Sequence, residues 1–109
     1  MSASERSKGA RGENEVCQII RACGWSRAHR NFASGAQGGG DIARGPEGVW
    51  IECKRTERLR LRTVWRQLEK DAAAVGDMPV LATRWNGGRW LAVVELDELL
   101  ELLALRERG

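Results

Sequence analysis

The chain has no tyrosine, a single phenylalanine, one histidine, two prolines and only three lysines among its 109 residues. No apolar run is long enough to span a bilayer, and the polar first residues lack a signal-peptide core. A cytoplasmic protein with no membrane partner is therefore expected. The three cysteines, Cys17, Cys23 and Cys53, are odd in number and match no zinc-ligand spacing. They read as reduced, small, mostly buried side chains. His29, the lone histidine, reads as a surface or loop residue rather than a general base. No internal repeat and no second domain is visible, so residues 1–109 are expected to form one domain, with 1–8 frayed.

Charge is unevenly placed. Residues 1–70 carry 14 Lys and Arg against 8 Asp and Glu, whereas residues 71–109 carry 4 against 7. A basic first half points to a polyanionic partner. The arginines of the stretch after residue 54 (Arg55, Arg58, Arg60, Arg62 and Arg66), with Lys8, Arg11, Arg27 and Arg30 from the other side, are candidates for tracking phosphates. Five tryptophans invite a base-stacking role, but packing is the simpler reading. Trp50, Trp85 and Trp90 fall on strand-like segments, and Trp65 is a candidate for a subunit interface. Leu96, Leu99, Leu100, Leu102 and Leu103 make one side of the last helical segment apolar, which reads as core or dimer contact.

Apolar residues at helical spacing predict a first helix from about Ala10 to Cys23, stopped by Gly24. An extended run from Ser26 to Phe32 leads into a glycine-rich loop ending at Asp41. Asp41-Ile42-Ala43, the turn Gly45-Pro46-Glu47-Gly48 and the run from Val49 to Lys54 predict a hairpin. A second helix is expected over Thr63 to Val75. A proline-led strand from Met78 to Trp85, an Asn86-Gly87-Gly88 turn and a returning strand from Arg89 to Val94 follow. The last helix runs from about Leu96 to Arg106. The order α-β-β-β-α-β-β-α gives an α/β protein with a mixed sheet flanked by helices.

The chemistry concentrates at Asp41 and Glu52-Cys53-Lys54. Side chains two apart on a strand share a face, so Glu52 and Lys54 project together while Ile51 and Cys53 point the other way. A hairpin brings Asp41 close to Glu52. Two carboxylates and an ammonium on one surface suit a hard divalent cation and a water attacking a phosphodiester. The plainer alternative is a surface strand with an ordinary salt bridge. Glu13 shares a helix stripe with Val16, Cys17 and Ile20, where an acid needs a partner; the plain reading places it in the helix's first turn, favoured by the dipole. Glu15, on another face, is expected to be solvated.

In this order the residues resemble the PD-(D/E)xK nuclease superfamily, and within it the small archaeal-type Holliday junction resolvases. The likeness runs from Lys8-Gly9 and Gly12-Glu13-Asn14-Glu15, through Ala33-Ser34-Gly35 and Asp41-Ile42-Ala43, to Ile51-Glu52-Cys53-Lys54 and Met78-Pro79-Val80-Leu81-Ala82. Gly40 stands where the superfamily has proline. The resemblance implies a restriction-endonuclease-like core with a central mixed sheet of about five strands. It implies Glu13, Asp41, Glu52 and Lys54 as the catalytic set. Asp41 and Glu52, with the Cys53 carbonyl, would hold Mg²⁺ or Mn²⁺, joined by Glu13 directly or through water. Lys54 would orient or deprotonate the attacking water, and Ser34 would contact the scissile region.

The function so implied is metal-dependent cutting of branched DNA, foremost four-way junctions, by a homodimer whose two sites make two symmetric nicks. A restriction-like or general DNA-degrading nuclease is the second reading. A non-catalytic nucleic-acid-binding module of the same fold is the third.

Overall fold

The computed structural model describes residues 3–32 and 40–109, with residues 3–8 as backbone only. The helices are α1 (Ala3–Ala22), α2 (Leu61–Ala74) and α3 (Leu96–Arg108). The strands are β1 (His29–Arg30), β2 (Ile42–Ala43), β3 (Val49–Arg55), β4 (Met78–Arg84) and β5 (Leu91–Val93). The element order is the expected one. Helix α1 begins at Ala3 rather than near Ala10. It ends at Ala22, and Gly24 just beyond takes a φ of 119° that is open to glycine and strained for other residues. Helix α2 closes in a Schellman arrangement: Asp77 N–H reaches Ala72 O at 2.9 Å, Gly76 N–H reaches Ala73 O at 3.2 Å, and Gly76 takes a φ of 73°.

The strands form two sheets instead of one of about five strands. Strands β3, β4 and β5 form a mixed sheet in that order, β3 parallel and β5 antiparallel to β4. Strands β1 and β2 pair antiparallel as a separate ribbon. The expected hairpin between the Asp41 run and β3 does not form: Ile42–Ala43 pairs with β1, and the chain just before it meets β3 in a single parallel bridge between Gly40 and Ile51. The reason is local. Asp41 N–H reaches Ile51 O at 2.9 Å, but the Cys53 N–H is taken at 2.7 Å by the Asp41 side chain, Oδ2. A carboxylate thus occupies the place that a backbone carbonyl would need to extend the ladder. Arg44 then turns the chain away with a φ of 60°.

Each face of the three-stranded sheet is covered by a helix. On one, α1 contributes Val16, Cys17 and Ile20 to a core with Ala28, Ile42, Ile51 and Ala82. On the other, α2 sets Leu68 and Ala72 against Trp50 and Leu81. Trp50 and Ile51 are neighbours in sequence but belong to opposite cores, as strand alternation requires. Residues 50, 52 and 54 therefore face α2. Parallel pairing buries β4 on both faces, which explains its continuous Val80-Leu81-Ala82 run. Among the described residues no helix is long and apolar enough to cross a membrane.

Candidate active site

Strand β3 is an edge of its sheet, and Asp41 is fastened along its free side. That attachment brings the Asp41 and Glu52 carboxyls together. Burial, reinforced by the negative charge of Asp41, pushes the Glu52 carboxyl up to about 7 from 4.5; the Lys54 ammonium and the Trp50 indole partly offset this. Trp50 Nε1 is buried with no partner in hydrogen-bonding geometry among the described residues, yet lies close enough to favour the charged form of Glu52. Two carboxyls driven together in a half-buried position are short of positive charge. That donor chemistry fits a divalent cation.

Gly40 makes the arrangement possible. It has a φ of 66°, and a Cβ there would stand 2.6 Å from the Ile51 carbonyl oxygen and 2.7 Å from the Trp50 indole. Glycine at this position allows the backbone to lie directly against β3 and the Trp50 ring, with Asp41 as the next residue. The Gly40 carbonyl accepts a 3.0 Å hydrogen bond from Asn31 Nδ2.

Glu13 is placed differently. Arg30 Nε donates to its Oε1 at 2.9 Å, and the Arg30 guanidinium also lies 5.0 Å above the Phe32 ring. Glu13 stands on the α1 side of β3, where with Asp41 and Glu52 it adds to the burial that drives the Cys53 thiol far above its usual range. Burial thus works against the thiolate, the nucleophilic form of Cys53. Among the described residues no three of His, Cys, Asp and Glu are gathered closely enough to hold a metal ion. The structure brings two of the three expected carboxylates together and leaves the third in an ion pair.

Glu52 and Lys54 open onto a cleft of about 630 Å³ whose other wall is α2. Thr63, Arg66, Gln67 and Lys70 line that wall, and Gln67 Nε2 donates to Asp71 Oδ1 at 2.9 Å. Of these only Arg66 was anticipated. The spacing 63, 66, 67, 70 is a helical stripe and was readable as such, but which way α2 turns that stripe is set by Leu68 and Ala72 packing on Trp50.

The remaining basic residues sort by exposure. Arg11, Arg27, Arg58, Arg60 and Arg62 are exposed. Arg30 is committed to Glu13, as described. Arg55 is half-buried, its Nη1 3.6 Å from Glu15 Oε2, so its guanidinium is engaged inward rather than offered to a phosphate. Glu15 is not the solvated residue expected: its Oε1 also accepts from Arg84 Nη1 and Trp90 Nε1, each at 2.8 Å. Trp85, expected to be buried on a strand, lies just past β4 and is half exposed. His29 is exposed, with its ring beside the Arg27 carbonyl. The side chain of Lys8, and Ser34 altogether, lie outside the described residues.

A family model described as "Phage putative PDDEXK endonuclease" matches residues 4–107. No curated protein and no solved structure matches the chain.

Proposed function

The chain belongs to the family so described, and from that premise we propose a Mg²⁺-dependent endonuclease that resolves four-way DNA junctions as a homodimer. The single observation that carries the metal-dependent reading is the meeting of Asp41 and Glu52 at the free edge of β3, on the cleft that Lys54 shares. Asp41, Glu52 and the Cys53 carbonyl would hold Mg²⁺ or Mn²⁺. Glu13 would join them through water once Arg30 is drawn elsewhere.

When bound, the ion supplies charge neutralisation at the phosphoryl oxygens and a water acidic enough to attack. Lys54 supplies the second positive charge, orienting that water and stabilising the charge that develops on the phosphate. Arg66 and Lys70 on α2 hold adjoining phosphates along the cleft, with Arg58, Arg60 and Arg62 extending the basic surface. The Asp41 carboxylate is already oriented by the Cys53 N–H, so little ordering is required when the ion arrives. Junction preference rests on the resemblance of the ordered motifs to the archaeal-type resolvases. The homodimer follows from the need for two symmetric nicks.

The test is a side-by-side digestion of a synthetic four-way junction, a fork and a linear duplex, with and without Mg²⁺. Paired nicks in the junction, dependent on Mg²⁺ and faster than duplex cutting, are expected. Duplex cleaved as fast as junction would replace the resolvase with a restriction-like enzyme. Salt-sensitive binding without metal-stimulated cleavage would replace it with a DNA-binding module.

A further inference from the structure

Helices α1 and α2 each press a stripe of side chains into a core, whereas among the described residues α3 has no buried residue and no substantial packing against any other element. Yet it is richly apolar. Leu96, Leu99, Leu100, Leu102 and Leu103 fall on one face of the helix and are 40–68% exposed. An isolated helix of 13 residues is marginal in water, so such a face calls for a partner.

Charge along α3 says which partner. Asp97, Glu98 and Glu101 occupy its first half, and Arg106 and Arg108, with Glu107 between them, its last turn. A helix with three negative charges in its first half and one net positive charge in its last turn is complementary to a reversed copy of itself. Two copies laid antiparallel bring leucine face to leucine face and each acidic end to the other's basic end, and they also oppose the helix dipoles. Laid parallel, the same helices would set like charges against one another.

We propose that α3 is a self-association helix, packing antiparallel on α3 of a second copy through Leu96, Leu99, Leu100, Leu102 and Leu103. Such a helix is about 20 Å long and about 10 Å across. A stable dimer buries about 800 Å² per partner, so the contact must spread beyond α3. Leu91, exposed on the edge strand β5 just before α3, and the apolar groove of Leu61, Trp65, Val93 and Val94 continue the surface. This interface rests on the homodimer proposed above but not on the choice of DNA substrate, and it is tested without DNA or metal.

The experiment is sedimentation velocity of the full chain over a concentration series, in reducing buffer because Cys23 is exposed. Wild type should sediment at twice the 12.1 kDa chain mass. Leu99→Glu combined with Leu103→Glu should sediment as a monomer with an unchanged circular dichroism spectrum. Should that variant fail to fold, Leu103→Ala provides the reading: its dimer should dissociate at least about tenfold more readily, since each copy loses a buried leucine. Arg106→Glu with Arg108→Glu should weaken the dimer at low salt, whereas a parallel pairing would leave it unchanged and refute the antiparallel arrangement. A wild type that stays monomeric at every concentration, or a dimer that survives both leucine substitutions, overturns the proposal. Cleavage of linear duplex by the folded monomeric variant should persist, which separates loss of the interface from loss of the nuclease.

Discussion

Two glutamates, both half-buried near strand β3, are treated in opposite ways. Glu15 is met by Arg84, Arg55 and Trp90, so its carboxylate is matched by two positive charges and an indole donor. Glu52 is pressed towards another carboxylate, with Lys54 and the Trp50 indole as partial relief, and its acidity drops to match. The first arrangement binds α1 to the ends of β3 and β4 and contributes stability. The second is costly in isolation and becomes favourable only when a cation arrives. A satisfied charge marks a joint of the fold, and an unsatisfied one marks a working site.

The largest effect should come from removing charge at the working site. Asp41→Asn or Glu52→Gln is expected to lower Mg²⁺-dependent cleavage by about 10³-fold or more, measured as nicking rate on DNA, with the fold intact. Asparagine retains an oxygen to accept the Cys53 N–H, so loss of folding is not the cause. Nicking at the wild-type rate by either variant would erase the distinction drawn between the two glutamates.

Glu15→Gln should do the reverse. It strips the countercharge from Arg55 and Arg84, whose Nε atoms are already buried without a partner among the described residues. A loss of about 2–3 kcal/mol in urea unfolding is expected, with cleavage per folded molecule nearly unchanged. If stability is untouched while cleavage falls, Glu15 belongs to the chemistry instead.

The smallest effect sharpens the comparison through pH. The folded Glu52 carboxyl keeps its proton up to about 7, whereas the unfolded one releases it near 4.5, so the native state binds more protons between those values. Its contribution to stability is complete at the acidic end of that window and is lost as pH rises through 7. After discounting for solvent screening, wild type should lose about 1–2 kcal/mol relative to Glu52→Gln between about pH 5 and about pH 8. Saturating Mg²⁺ should restore that loss in wild type and leave Glu52→Gln unmoved, as read by thermal denaturation.

Much of this was legible in the chain. The order of elements followed from helical periodicity at Val16, Cys17 and Ile20, alternation around Glu52, and the glycine and proline punctuation. Glu52 and Lys54 sharing a face followed from strand geometry alone. The approach of Asp41 was anticipated too, but through an antiparallel hairpin, whereas the chain meets β3 in one parallel bridge that the Asp41 side chain keeps from extending. The fates of the arginines were not legible. Arg55, Arg58 and Arg66 look alike in sequence, yet one is turned to Glu15, one lies in solvent and one lines the cleft.

By itself, the sequence determined which residues become helix or strand and which side chains share a face, because those rules act over a few residues. The tertiary structure decided which charges are matched. Glu15 finds Arg84 across 69 residues and Glu13 finds Arg30 across 17, while Glu52 is left beside Asp41. Such pairings depend on distance and on how far water is displaced, and both are set only when the helices close on the sheet.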